Sequence, residues 1–249
     1  MRIYFAGGES IPKHLKPLVK RVLLSFAAIK NKTEFIGEDI FLDSGAFSVF
    51  TGKSEVTKEQ YAKFLQTHKQ RFTAYANFDV IGDYKGTAIN QSYLESQGHN
   101  PIPVFHYGSP YGELKKLASK YKYILLGGLV PLKKHEAILR KHLDSCFAIT
   151  GKDIKIHGLG VGNWELLARY PFYSCDSTSW LIGSKFKELL GVMTAHKRAS
   201  RLPQYDKESL RNHFQYISDS TLDEQNIKTT LQNEKYLTDL WKKRGIVWQ

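Results

Sequence analysis

Phe41-Leu42-Asp43-Ser44-Gly45-Ala46-Phe47 carries an apolar run into a carboxylate and then into small residues. The pattern is that of a buried strand ending at a rim, where the Asp leaves the sheet and the small residues let a ligand approach the backbone. An Asp in this position also serves as an Asx-turn or a helix cap, so the stretch alone has two readings. The arrangement recurs in Asn77-Phe78-Asp79-Val80-Ile81-Gly82-Asp83 and in Tyr173-Ser174-Cys175-Asp176-Ser177-Thr178. Two further apolar runs end in glycine: Leu126-Gly127-Gly128-Leu129 and His157-Gly158-Leu159-Gly160-Val161-Gly162.

Outward from these segments, short β-branched or aromatic runs alternate with stretches of helical spacing. Strands are expected at residues 3–6, 40–43, 73–80, 102–106, 123–127, 154–159 and 172–176. An irregular eighth is expected around residues 189–193. Helices are expected between them at 58–69, 111–120, 135–147 and 163–170, each with apolar residues three and four apart. Polar and glycine-rich groups fall at the carboxyl ends of successive strands. That is the active face of a (β/α)8 TIM-type barrel, whereas an open doubly wound sheet gathers such groups at one switch point. The fold class expected is therefore α/β, a (β/α)8 barrel over residues 1–194. Beyond it, residues 195–249 read as a helical extension packed on the barrel, with helices at 207–217 and 222–243.

The chain has 249 residues, 42% hydrophobic and 24% charged, which excludes disordered, collagenous and coiled-coil classes. Its 36 Lys and Arg against 24 Asp and Glu leave a net charge of +12, an excess suited to a polyanion: nucleic acid first, an anionic membrane second. Two cysteines, Cys146 and Cys175, build neither a disulfide framework nor a four-cysteine zinc site and fit a reducing interior. The first eight residues lack the basic and long apolar regions of a signal peptide, and no apolar window reaches the roughly 20 residues that span a bilayer. A soluble, cytoplasmic protein is expected.

Asp43, Asp79 and Asp176 thus become three rim carboxylates, suited either to holding a metal through oxygen or to dividing nucleophile, base and recognition roles. His106 ends the 102–106 strand and reads equally as a mouth residue or a structural histidine. The GxGxG of residues 158–162 lacks the Lys-Ser and the ribose-binding acid that a nucleotide loop requires, so no cofactor is inferred. Alternation turns Cys175 away from Asp176, as a packed thiol. Basic residues cluster at Lys13, Lys16, Lys20 and Arg21; at Lys115, Lys116, Lys120 and Lys122; at Lys133, Lys134, Arg140 and Lys141; and at Lys197, Arg198 and Arg201. Each cluster reads alone as a solvated helix face. Taken with the net charge they suggest a phosphate-binding surface, led by Lys197, Arg198 and Arg201 and then by Lys133 and Lys134.

In combination, Asp43-Ser44-Gly45-Ala46-Phe47, Phe78-Asp79, Leu126-Gly127-Gly128-Leu129, Gly158-Leu159-Gly160-Val161-Gly162 and Cys175-Asp176 resemble, in order and spacing, the tRNA-guanine transglycosylase superfamily. The resemblance covers about residues 40–180. It implies a (β/α)8 barrel that exchanges guanine in a nucleic acid for a 7-deazaguanine base. Asp176 would then be the nucleophile at the anomeric carbon and Asp43 the general base in a retaining double displacement. Asp79 would read the N1 and N2 edge of guanine. Ser44, Gly127, Gly128, Leu129 and Gly160 would lie around the base, Phe47 and Leu159 would sandwich it, and His106, where bacterial relatives carry glutamine, would donate to O6.

Two departures matter. Val130-Pro131-Leu132-Lys133 replaces the glutamate that often follows the Gly-Gly-Leu motif, so the substituent on the deazaguanine would differ. No cysteine follows Cys175, which removes the zinc subdomain of the tRNA-acting members and leaves no metal to expect. The compact form resembles the phage-type DNA deazaguanine transglycosylases, the DpdA group. The expected partners are then DNA and a free 7-deazaguanine, in the cytoplasm of a bacterial host. A base attacked at C1′ must be flipped or already single-stranded, with Tyr107, Tyr111, Tyr173 and Trp180 as stacking candidates. The alternatives are the same chemistry on tRNA, a catalytically silent barrel that binds nucleic acid, and a metal-dependent hydrolase.

Overall fold

Eight short strands, all parallel, form one curled sheet in the computed structural model, which describes residues 1–194 and 217–248. The strands are β1 (Arg2–Ala6), β2 (Arg21–Ser25), β3 (Asp39–Asp43), β4 (Ala74–Tyr75), β5 (Val104–His106), β6 (Tyr123–Gly127), β7 (Lys155–Gly158) and β8 (Ser174–Ser177). Helices follow most of them: α1 (Phe26–Ile29), α2 (Ala46–Phe50), α3 (Lys58–His68), α4 (Tyr84–Ser96), α5 (Tyr111–Lys120), α6 (Glu136–Thr150), α7 (Trp164–Arg169) and α8 (Ile182–Phe186). The spatial order β4-β3-β2-β1-β8-β7-β6-β5 leaves β4 and β5 at the two edges, although they are consecutive in the chain. Between those edges Ala76 and Ile102 form a parallel bridge. Ile102 N donates to Tyr75 O and Asn77 N to Ile102 O, both at 2.9 Å. The order is TIM-like.

Side chains alternate across this sheet. Tyr4, Leu23, Phe41, Ala76, Val104 and Leu125 meet on the inner face. Their neighbours Ile3, Ile124, Ile156 and Cys175 join one outer cluster under the helices, and Phe5, Val22, Leu24 and Leu42 another. A strand buried on both faces reads as an unbroken apolar run. This explains the largest correction to the sequence reading: the eighth strand is Arg21–Ser25, inside an apolar window that period alone cannot tell from a buried helix.

Residues 189–193 form no strand. They run against the C-terminal helix, Asp219–Lys243, where two buried asparagines take the place of a neighbouring strand. Asn226 accepts from Leu190 N and donates to Glu188 O, and Asn233 accepts from Met193 N and donates to Gly191 O. Each side-chain amide offers the donor and acceptor of a peptide group, so four backbone groups of an apolar segment are bonded without a ladder.

The expected 73–80 strand is likewise cut short at Tyr75. Beyond it the backbone bonds to α4: Asn90 donates to Phe78 O, and Val80 N donates to Thr87 Oγ1. The same helix start is capped by Asp83, which accepts from Lys85 N and Gly86 N.

The C-terminal helix is joined to the sheet by its own core residues. Leu237 and Ile227 lie in the two outer clusters, Trp241 donates to Leu167 O, and Glu234 accepts from Ile3 N and pairs with Arg21. The expected 207–217 helix lies almost wholly outside the described residues. Both cysteines are buried free thiols. Among the described residues no helix is long and apolar enough to cross a membrane.

Candidate functional site

Three carboxylates meet at the carboxyl ends of the strands. Asp43 is the last residue of β3 and, by alternation from inner-face Phe41, faces the inside of the sheet. Its Oδ2 accepts from Gly45 N at 2.9 Å, the Asx-turn reading of the motif. Gly45 sits at φ 84°, where a side chain would also collide with Ala27, so the turn requires glycine. Both readings of Asp43 therefore hold at once: it closes a turn and it lies in the mouth. Burial, then the negative charge of Asp79 and that of Asp176, push its carboxyl up to about 7, against the pull of the Gly45 and Ser44 amides.

Asp79 lies beyond β4 and is buried. Ser44 Oγ donates to its Oδ1 at 2.8 Å, and His106 Nε2 lies 2.8 Å from its Oδ2. The last residue of β6 makes room for this ring: a Cβ on Gly127 would lie 2.8 Å from His106 Nε2 and closer still to Cδ2.

Asp176, in β8, is buried as well. Its Oδ1 accepts from Gly160 N at 2.8 Å and lies 3.2 Å from His157 Nε2, while its Oδ2 has no hydrogen-bond partner among the described residues. Gly160 stands at φ 67° with Val130 against it, a position that again suits glycine alone. His157 is fully buried on the inner face, and Ser174 Oγ lies 2.8 Å from its Nδ1. Ser174 in turn meets Tyr123 OH at 2.6 Å. The sequence reading missed these three. Alternation from Asp176 puts Ser174 on its face, and the register His157↔Ser174 brings in the histidine, but a strand register is not visible before the fold is known.

The remaining candidates divide. Ser44 is fully buried and ties Asp79 to the start of α2, its Oγ also accepting from Ala46 N. Gly160 serves the Asp176 carboxylate through its amide. Gly128, at φ 72°, lets the chain pass Tyr107 N. The Leu129 side chain is not in the mouth but in the outer core. Phe47 stands exposed on α2, and Leu159 packs on the inner cluster just past β7. Trp180 is buried and donates to Ala6 O, and Tyr173 precedes β8 at the opposite end of the sheet, beside Arg2 and Lys155. Neither can stack on a base at the mouth. Tyr107 and Tyr111 are partly exposed.

Of the basic clusters, Lys133 and Lys134 lie exposed on the 3-10 turn Pro131–Lys134, directly after β6 and so on the same rim as the carboxylates. Lys133 borders a cavity of about 260 Å³ together with Leu129, Val161, Gly162 and Ser179. Lys20 and Lys122 precede their strands and Arg21 begins its own, so all three lie at the other end. Arg21, Lys116, Lys120 and Arg140 are paired with Glu234, Glu113, Glu95 and Glu136. Lys197, Arg198 and Arg201 lie outside the described residues. Among the described residues no group of three or more His, Cys, Asp or Glu is disposed to hold a metal ion.

Fold and site together define a parallel α/β protein of TIM-like strand order, with a carboxylate cluster at the carboxyl ends of its strands. No family model matches the chain, and no curated protein matches it.

Proposed function

We propose that the chain is a DNA-guanine transglycosylase, a closed (β/α)8 barrel whose edges join at the Ala76–Ile102 bridge. The observation that carries the reading is the carboxylate cluster, in which three similar groups sit in three different environments. Divergent environments on neighbouring carboxyls are how one site runs nucleophilic and acid–base steps together.

Asp176 is the nucleophile. Gly160 N and His157 hold Oδ1, and Oδ2 attacks C1′ of the target nucleotide, so that a glycosyl ester forms and guanine leaves with the electron pair of the C1′–N9 bond and takes a proton from water. Asp43, with its carboxyl near 7, is the general base. It takes the ring N–H proton of the incoming 7-deazaguanine as that nitrogen attacks C1′ and the Asp176 carboxylate leaves. Two displacements retain configuration. Asp79 reads the base: Ser44 and His106 fix its plane while each oxygen keeps a lone pair for guanine N1–H and N2–H. This assigns His106 to anchoring Asp79 through Nε2 in place of donating to O6. Phe47 and Leu159 flank the base, and Lys133 and Lys134 meet backbone phosphates. The target nucleotide is extruded or single-stranded, since C1′ is out of reach in a stacked helix.

The test is incorporation of labelled guanine into duplex DNA, single-stranded DNA and tRNA, run with Asp176→Ala alongside. Label entering DNA and not tRNA, lost in the variant while the variant still binds DNA, is the expected result. Label entering tRNA alone moves the same chemistry to the other polymer. Binding without exchange in any polymer overturns the enzyme reading in favour of a silent barrel.

A further inference from the structure

A buried hydrogen-bonded chain crosses the inside of the sheet from one end to the other. At the carboxyl end is Asp176 Oδ1, followed by His157 Nε2 at 3.2 Å. Ser174 Oγ lies 2.8 Å from His157 Nδ1, and Tyr123 OH 2.6 Å from Ser174 Oγ. His157 and Ser174 are wholly excluded from solvent. Tyr123 ends the chain on the wall of an open cavity of about 610 Å³ at the amino ends of the strands, which it shares with Arg2, Tyr75 and Tyr173.

With the His157 ring neutral, the chemistry of the groups gives every bond one direction. The carboxylate of Asp176 can only accept, so His157 donates from Nε2. In a neutral imidazole Nδ1 is then bare and accepts, which makes Ser174 the donor to it and leaves Ser174 Oγ to accept from Tyr123. Burial keeps the Tyr123 phenol protonated far above the ordinary tyrosine range, as a donor must be. Tyr4 and Phe41 pack on the His157 ring, with centroids 6.1 and 4.8 Å away, and fix its plane.

We infer that His157 is a positioning residue for the proposed nucleophile, locked in the Nε2–H tautomer by Ser174 and Tyr123 so that Oδ1 of Asp176 is held and Oδ2 is the attacking oxygen. The inference rests on the transglycosylase reading for its consequence and on the hydrogen-bond chain for its geometry. The same bonds serve both chemical steps. With the ester formed on Oδ2, Oδ1 is a carbonyl oxygen that still accepts from His157 and Gly160, and these donors receive the charge again when Asp176 leaves. Oriented histidines elsewhere depend in the same way on the partner of their second ring nitrogen.

The experiment uses the full chain, labelled with 15N at histidine, with the His157 ring signals assigned by difference from His157→Gln. The wild type should show a protonated Nε2 and a bare Nδ1. Ser174→Ala removes one hydroxyl and should release the lock, giving a second tautomer or a doubly protonated ring. Its kcat for guanine exchange into DNA should fall by about 10–100-fold with KM for DNA unchanged. Tyr123→Phe should shift the same ring signals in the same direction by a smaller amount. A wild-type ring protonated on Nδ1, or a Ser174→Ala protein with unchanged ring signals and unchanged kcat, overturns the inference. A wild type that exchanges no guanine into any polymer overturns the transglycosylase reading instead, and the ring signals still judge the lock.

Discussion

Asp43 shows how far one side chain departs from its ordinary behaviour when it is enclosed with like charges. Its carboxyl, 3.8 in the unfolded chain, rises to about 7 in the fold. Between those values the folded protein holds a proton that the unfolded chain has lost, so unfolding releases it and stability falls as pH rises through the window. The loss is complete above about pH 7, with a slope of at most about 1.4 kcal/mol per pH unit. Asp43→Asn keeps an acceptor for Gly45 N and removes the charge. Its melting temperature should match the wild type near pH 4, exceed it by a growing margin up to about pH 7 and level off above, and melting curves at several pH values test this. Activity should move the opposite way: kcat/KM of the wild type should climb through about pH 7 as the base ionises, and the asparagine variant should be impaired throughout. The carboxylate proposed as the general base is thus held here at a cost in stability.

At the scale of elements, the sheet accepts substitutes for regular pairing where the chain requires them. Four backbone groups of residues 188–193 bond to Asn226 and Asn233, seven residues apart on one face of the C-terminal helix. Asn233→Ala leaves Met193 N and Gly191 O without these partners in a buried setting, which should cost about 2 to 4 kcal/mol. A lowered urea midpoint with an unchanged slope would show it, and a midpoint equal to the wild type would refute the bracket. The segment reads as a strand in sequence because it is apolar. It is not one because its hydrogen-bonding partner is a pair of side chains on a helix, and no local pattern announces that.

For the molecule as a whole, the net charge is +12. Several basic residues are spent on ion pairs or lie at the amino ends of the strands, whereas Lys133 and Lys134 stand free of salt bridges among the described residues, on the rim that carries the carboxylates. Binding of DNA at this rim should weaken steeply with salt. Replacing both lysines by glutamine should reduce the slope of log affinity against log salt by about 0.9 for each phosphate no longer neutralised, alike for every DNA sequence. Titrations at four or five salt concentrations decide it; an unchanged slope would place the phosphate-binding groups elsewhere.

Local pattern was enough for the α/β class, most of the strands and the carboxyl-end placement of Asp43, Asp79 and Asp176, because an apolar run that ends in a carboxylate and small residues is legible in a few consecutive positions. The starts of α3, α5, α6 and α7 were legible for the same reason, whereas α4 was not read. Which strand completes the sheet came from the packed fold alone, since β2 is apolar on both faces and carries no period of its own. So did the findings that Ser44 and Gly160 serve the carboxylates, that Leu129 belongs to the outer core, and that His157, Ser174 and Tyr123 stand behind Asp176. These are facts of register and of which neighbour a side chain meets. They join residues as far apart in the chain as Tyr123 and Asp176, and the energy that fixes them exists only once the strands lie side by side.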